Sequence, residues 1–376
     1  MVNRTEERPD LSILASFSGE GGVERMLLNL VNAMAESGLR IDLLLIKTRS
    51  RHLHEIHPAV NRIDLGSSHT ATSLLPLVRY LKRTRPSCLL AAKDRAGRIA
   101  VIARFLAGTS QTRLVLRLGT NLTAAFAHKS SWRLYLRRLP IRLLYPRIDR
   151  IIAVSEGVRE DTLALSGTTP EKVVVVRNPV ITANLLEAAD APSPHPWLGD
   201  SECPVILGVG RLTVQKDFAT LLRAFAELHS RRPCRLIILG DGRQRERLLG
   251  MSEELGIAQA LSLPGFTANP YVYMKLADLF VLSSRWEGSP NVLTEAMALG
   301  TPVVSTDCPS GPSELLDRGR IAPLVAVGDW QALSQAMQRV LDGPPDPALL
   351  RESVREYNAQ QSAAHYLEIM GLASAC

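Results

Sequence analysis

SSRWEGSPNVLTEAMALGTPVVS, residues 283–305, holds a βαβ unit in miniature. An apolar run, LADLFVLSS, leads into it and TPVVST closes it, both with the apolar density of strands covered on two faces. Between them a helix is expected to open around Ser289, Pro290 and Asn291, because proline at a helix start gives up an N–H that has no intrahelical partner anyway. The backbone N–H groups of such a start form a ready phosphate site. Glu287 lies just before the helix and Glu295 within it, so two carboxylates bracket its start. Carboxylates repel phosphate but accept well from sugar and ribose hydroxyls. Taken alone, the pair would more simply be a helix-dipole acid and a solvated surface acid.

The same alternation extends in both directions. Downstream of residue 203, PVILGVGR, RLIILGDG and LSLPGF read as further strands separated by helix-length segments. Upstream, strands are expected at 11–16, 41–46, 62–65, 88–91, 114–117 and 151–154. The rhythm lapses at NLLEAADAPSPHPWLGDSE, where three prolines fall within five positions. The 376 residues therefore divide into a Rossmann-like domain over 1–183, a linker over 184–202 and a second domain over 203–354. A last helix within 355–376 is expected to pack back on the first domain. Two doubly wound α/β domains in series would face each other across a cleft at the carboxyl ends of their strands, where such sheets bind ligands.

Four further elements carry candidate chemistry. In GVGRLTVQKDF, Arg211 and Lys216 project from a strand-to-helix loop and suit a diphosphate, although two basic residues on a loop are commonly just surface charge. The turn around Asp241, between Gly240 and Gly242, allows either close backbone approach to a ligand or simple turn chemistry. Gly265 and Phe266 end another strand with the same two readings. Near the start, SFSGEGGVERM places Gly21 and Gly22 in a βα turn that lacks the G-x-G-x-x-G order of a dinucleotide site.

With Gly288, Pro290, Gly300 and Pro302 in order around the two glutamates, the 283–305 segment resembles the Glu–seven residues–Glu signature of glycosyltransferase family 4, EGxPxxxxEAxAxGxPV. GVGRLTVQKDF is similar to the family's GRL…KG element, with Asp217 where glycine is common, and Gly21-Gly22-Val23-Glu24 to its GG-x-E start. TDCPSGPSELL, with Ser310, Gly311 and Glu314, falls at the expected spacing after the second glutamate. The resemblance is strong over 204–330 and diffuse before that.

It implies a GT-B fold and a retaining transfer of a sugar from a UDP- or GDP-sugar to a glycan or lipid-linked acceptor in bacterial cell-surface polysaccharide or glycolipid synthesis. In that scheme Arg211 and Lys216 carry the leaving-group charge and Glu287 holds a sugar hydroxyl. Glu295 holds the ribose, and Ser289, Pro290 and Asn291 complete the cradle. The loop of Gly21 and Gly22 approaches the donor phosphates, and the turn of Gly265 and Phe266 meets the base. Members often carry a histidine in an amino-terminal-domain loop; LRLGTNLTAAFAH offers Asn121 or His128 and assigns neither. The rival within the same architecture is a nucleotide-sugar 2-epimerase.

Charge adds a second theme. Residues 1–183 hold 28 Lys and Arg against 15 Asp and Glu, and residues 184–376 hold 16 against 22. A basic first half asks for an anionic partner: a nucleic acid, an anionic membrane or a phosphorylated substrate. No recognition motif accompanies it and aromatics are 5%, so a nucleic-acid-binding module is disfavoured. In HKSSWRLYLRRLPIRLLYPRIDR, Trp132, Tyr135, Leu136, Leu139 and Leu143 recur at helical spacing with Arg133, Arg137 and Arg138 off the stripe, and Pro140 is expected to kink or split the helix. That stripe reads equally as core or as a membrane-surface face.

Neither a signal peptide nor a run long enough to span a bilayer is read, so a cytoplasmic protein, peripheral on a membrane at most, is expected. Five scattered cysteines (Cys88, Cys203, Cys234, Cys308, Cys376) suggest neither zinc nor disulfides, and no D-x-D element or His52–His54–His57 cluster with further ligands argues for a metal. No cofactor is expected.

Overall fold

The computed structural model describes residues 8–19, 21–126, 131–199 and 203–372, with the backbone alone over 131–137. His128 and Cys376, and the side chains of Trp132, Arg133, Tyr135, Leu136 and Arg137, lie outside the described residues. The chain forms two compact units, residues 1–179 with 359–376, and residues 180–358.

The first unit is built on a seven-stranded sheet in the order β3-β2-β1-β4-β5-β6-β7: β1 Leu11–Phe17, β2 Ile41–Thr48, β3 Asn61–Asp64, β4 Cys88–Ala91, β5 Arg113–Leu118, β6 Arg150–Ala153 and β7 Val173–Val175. All pairings are parallel, with Leu11 in register with both Ile41 and Cys88. Alternate residues of β1 serve opposite faces. Leu11, Ile13, Ala15 and Phe17 pack with the Gly22–Ala35 helix, whereas Leu14 joins the core under the Leu74–Thr84 and Asp94–Ala107 helices. With helices on both faces nothing in β4 is exposed, which is why it reads as an unbroken apolar run. The apolar run over 173–176 carried the signal for β7, which the strand assignments above omit.

The second unit has a six-stranded parallel sheet in the order β10-β9-β8-β11-β12-β13: β8 Val205–Val209, β9 Arg235–Leu239, β10 Leu261–Gly265, β11 Leu279–Leu282, β12 Val303–Thr306 and β13 Leu324–Val325. Both sheets reverse their strand order beside the first strand, the topology that gathers ligand-binding loops at the carboxyl edge.

The segment 184–202, read from sequence as a linker, adds Leu185, Ala189 and Leu198 to the core of the second unit. Its first turns form the Ala183–Ala188 helix, capped by Thr182. The prolines break regular structure there without lifting the chain off the core. The Ala359–Met370 helix returns to the first unit and packs on Gly22–Ala35. Ser131–Leu144 runs as one helix through Pro140 instead of splitting. Within it Ile141 is buried, while Leu139 and Leu143 of the expected stripe are exposed.

Candidate active site

Six loops leave the carboxyl edge of the second sheet, and two of them are pinned together. After β8 the chain runs through Arg211 to Asp217; after β11 it runs through Ser283 to Pro290. Ser283 Oγ donates to the Lys216 carbonyl at 2.8 Å, the Arg285 N–H to the Gln215 carbonyl at 2.8 Å, and Gln215 Nε2 to the Trp286 carbonyl at 3.0 Å. These bonds bring Lys216 Nζ to 2.6 Å from Glu287 Oε1, which also accepts from Ser284 Oγ at 2.7 Å. The Glu287 N–H donates to the Pro309 carbonyl at 3.1 Å, so the loop after β12 backs the same segment. Ser310 and Gly311 continue that loop against Pro290, and Glu314 follows in the Pro312–Leu315 helix.

Glu287 and Glu295 are each 7% exposed, which excludes the solvated surface acid that either could have been on sequence alone. The helix between them is Asn291–Leu299; Pro290 precedes its first residue instead of occupying it and, as proline, offers no side-chain cap. Beside that start, Ser289 Oγ is buried without a hydrogen-bond partner among the described residues. A buried orphan hydroxyl beside a helix start is the arrangement expected where a polar ligand completes the bonding.

Arg211 and Lys216, equivalent in the sequence, differ in the fold: Lys216 is nearly buried in its ion pair, whereas Arg211 is exposed on the same loop. Asp217 has φ +47°, the left-handed region where glycine is unstrained. Its carboxylate meets Arg285 Nε at 2.9 Å and Thr220 Oγ1 at 2.9 Å, an ion pair that fastens the β8 and β11 loops and that glycine could not make. Since both variants lose the pair, Asp217→Ala is expected to be less stable than Asp217→Gly by about 1 kcal/mol, the left-handed penalty of a Cβ. Equal chemical-denaturation midpoints would refute this.

The glycines of the turn after β9 are closely approached by backbone from within the unit. A Cβ on Gly240 would lie 2.0 Å from the Gly210 carbonyl oxygen, and one on Gly242 2.4 Å from that of Leu212. Both glycines let the β8 and β9 loops stack backbone on backbone, and Asp241 turns its carboxylate onto the Gly242 N–H at 2.7 Å. Gly265 has open space about its Cβ position and Phe266 is 49% exposed beside it. Cys308, read in the sequence only as one of five scattered cysteines, lies close to Glu287 and Lys216. Burial first, then the Glu287 charge, pushes its thiol up to about 12, so it packs as a neutral group and is no nucleophile.

Gly21 and Gly22 belong to the first unit, at the carboxyl edge of its sheet. Gly21 precedes the first helix, its carbonyl accepting from the Glu24 and Arg25 N–H groups. Glu24 is 8% exposed and its carboxylate is 3.5 Å from Lys93 Nζ. Asn121 caps the short Leu122–Phe126 helix through the Ala124 N–H. Arg117, on β5, is 3% exposed and donates to Asn178 Oδ1 at 2.7 Å; burial lowers its pKa.

The model of the family described as "Glycosyl transferases group 1" matches residues 195–361, and that described as "Glycosyltransferase Family 4" matches residues 20–184. The chain is 30% identical over 347 residues to the N-acetylgalactosamine-N,N'-diacetylbacillosaminyl-diphospho-undecaprenol 4-alpha-N-acetylgalactosaminyltransferase of Campylobacter jejuni, covering 88% of this chain and 90% of that one. It is 28% identical over 329 residues to the lipopolysaccharide core biosynthesis glycosyltransferase LpsE of Rhizobium meliloti, covering 86% and 87%. Among solved structures, HepE of Anabaena in complex with UDP and glucose superposes with a TM-score of 0.79 at 19% identity, over 97% of this chain and 100% of that one.

Proposed function

The chain belongs to the glycosyl transferases of group 1 and family 4, with the GT-B fold, and from this premise we propose that its second unit binds a UDP- or GDP-sugar through Lys216, Arg211, Glu287 and Glu295. The observation that carries the reading is the meeting of Lys216 with Glu287 beside the start of the Asn291–Leu299 helix. Lys216 and Arg211 neutralise the diphosphate as it departs, and the helix start adds N–H donors. Glu287 uses Oε1 for Lys216 and Ser284, leaving Oε2 to accept from a sugar hydroxyl. Glu295 takes the ribose, the orphan hydroxyl of Ser289 takes a polar group of the donor, and Gly265 with Phe266 meets the base.

In the transfer the bond from the anomeric carbon to the diphosphate breaks as the acceptor hydroxyl attacks from the same face. Its proton passes to the departing phosphate oxygen, and the sugar keeps its anomeric configuration. Catalysis comes from positioning and from charge stabilisation of the leaving group. The names of the Campylobacter and Rhizobium relatives support a lipid-linked or lipopolysaccharide acceptor in surface-glycan synthesis.

Thermal-shift screening against UDP-, GDP- and ADP-sugars, followed by transfer assays with the stabilising donor, tests the reading. A sugar nucleotide isomerised in the absence of acceptor would replace it with an epimerase. With two cations at the leaving group, transfer is expected to persist in EDTA. Abolition by the chelator, with recovery on adding magnesium or manganese, would overturn that expectation.

A further inference from the structure

We propose that the face of the first unit formed by the Leu74–Thr84, Asp94–Ala107 and Ser131–Leu144 helices docks on an anionic lipid bilayer, an inference that rests on the reading of a lipid-linked acceptor. These helices lie side by side against one core. Five of the six exposed large hydrophobic side chains of the described first unit belong to them. Phe105 is 84% exposed, Leu75 62%, Leu143 54%, Leu106 49% and Leu139 43%. Four of the five lie toward the carboxyl ends of the second and third helices. Those ends are tied together where Arg104 donates to the Arg147 carbonyl at 2.6 Å and pairs with Asp149. A phenylalanine turned almost wholly to water, with three exposed leucines toward the same helix ends, is apolar surface that nothing covers among the described residues, and the charge on these helices points to the partner.

Neither Leu74–Thr84 nor Ser131–Leu144 contains an Asp or Glu. Lys82, Arg83 and Arg142 are exposed, and none of them lies within salt-bridge distance of a carboxylate among the described residues. Among the acids of neighbouring segments, Asp94 pairs with Arg98, Asp149 with Arg104 and Glu156 with Arg159, and Asp161 accepts from the Leu122 N–H, while Glu160 is exposed on the Glu156–Ser166 helix. A protein partner of ordinary composition would leave these cations unmatched. A bilayer with anionic headgroups matches them while taking the phenylalanine and leucines into its acyl boundary. Docking would hold the enzyme on the surface in which a lipid-linked acceptor diffuses.

The test is co-sedimentation of the full chain with vesicles of phosphatidylcholine and phosphatidylglycerol, against phosphatidylcholine alone, at low salt. Wild type is expected to sediment with the anionic vesicles only. Lys82→Ala/Arg83→Ala/Arg142→Ala is expected to weaken partitioning about a hundredfold, roughly fivefold per cation, and Phe105→Ser/Leu143→Ser roughly tenfold or more. Equal sedimentation with both vesicles, none with either, or variants that bind like wild type would overturn the proposal. So would a wild-type dimer that Phe105→Ser/Leu143→Ser converts to monomer, which would give the face to a second copy. UDP or GDP binding measured on the same samples separates the two inferences. Nucleotide binding without vesicle binding removes the docking face alone, and vesicle binding without nucleotide binding removes the donor-site reading alone.

Discussion

Lys216→Ala is expected to lower kcat/KM by ten- to a hundredfold and to weaken binding of the free nucleoside diphosphate, whereas Glu287→Gln is expected to lower transfer comparably and leave that binding intact or tighter. The size follows from a charge-assisted hydrogen bond, worth about 1.5–3 kcal/mol, with each ~1.4 kcal/mol a factor of ten in rate. The opposite signs follow from the 2.6 Å ion pair: without its carboxylate, Lys216 has no competitor for phosphate. Arg211→Ala and Glu295→Ala should weaken nucleotide binding as well, Arg211 through the diphosphate and Glu295 through the ribose.

Because the pair is nearly buried, with 16% and 9% of the two side chains exposed, removing one partner strands the other. The double variant is therefore expected to lose less than the sum of the singles, with a coupling of at least about 1 kcal/mol. Calorimetric titration with UDP or GDP and a double-mutant cycle on kcat/KM read both outcomes. Loss of nucleotide binding in Glu287→Gln would show that the glutamate holds the nucleotide, and wild-type affinity in Lys216→Ala would remove lysine from the phosphate site.

The second large effect is on folding. Gly240→Ala places a methyl 2.0 Å from a backbone oxygen at φ +133°, and Gly242→Ala one 2.4 Å from another at φ +158°. Neither obstacle is a side chain that can rotate away, so the β8 and β9 loops must separate. Overpacking of this kind costs about 1–3 kcal/mol, and the backbone conformation at Gly240 adds to it, for a total near 3 kcal/mol there. At roughly 2–4 °C per kcal/mol for a unit of this size, Gly240→Ala should lower the melting temperature by about 6–12 °C. Gly265→Ala, with open space at its Cβ position, faces only the backbone cost of φ +93° and is expected to lose less. Equal melting temperatures for the Gly240 and Gly265 variants would contradict the stacked-loop account. Nucleotide affinity measured below the melting point should fall in Gly240→Ala, because the loop it displaces carries Arg211 and Lys216.

Local chemistry was enough to determine much of this protein. Strands buried on both faces betray themselves as apolar runs, so the two βα series from Leu11 and from Val205 could be read in order, and a motif spaced along one strand, loop and helix fixed Glu287 and Glu295 as candidates. Alternating pattern and turn residues act over a few positions, which is the range a sequence displays. Tertiary structure alone decided which candidates meet. Lys216 and Glu287 are 71 positions apart, and only parallel pairing of β8 with β11 puts their loops side by side. Asp217 looked like a departure from a glycine until Arg285, also distant in sequence, supplied its counter-charge. Gly240 and Gly242 were legible as turn residues, but the sequence names a residue without a Cβ and not the backbone that approaches it. The prolines of 184–202 forbade helix and strand, and whether such a segment hangs free or covers a core depends on where Leu185 and Leu198 find apolar surface. Contacts between distant segments depend on topology, and that is fixed only when the whole sheet closes.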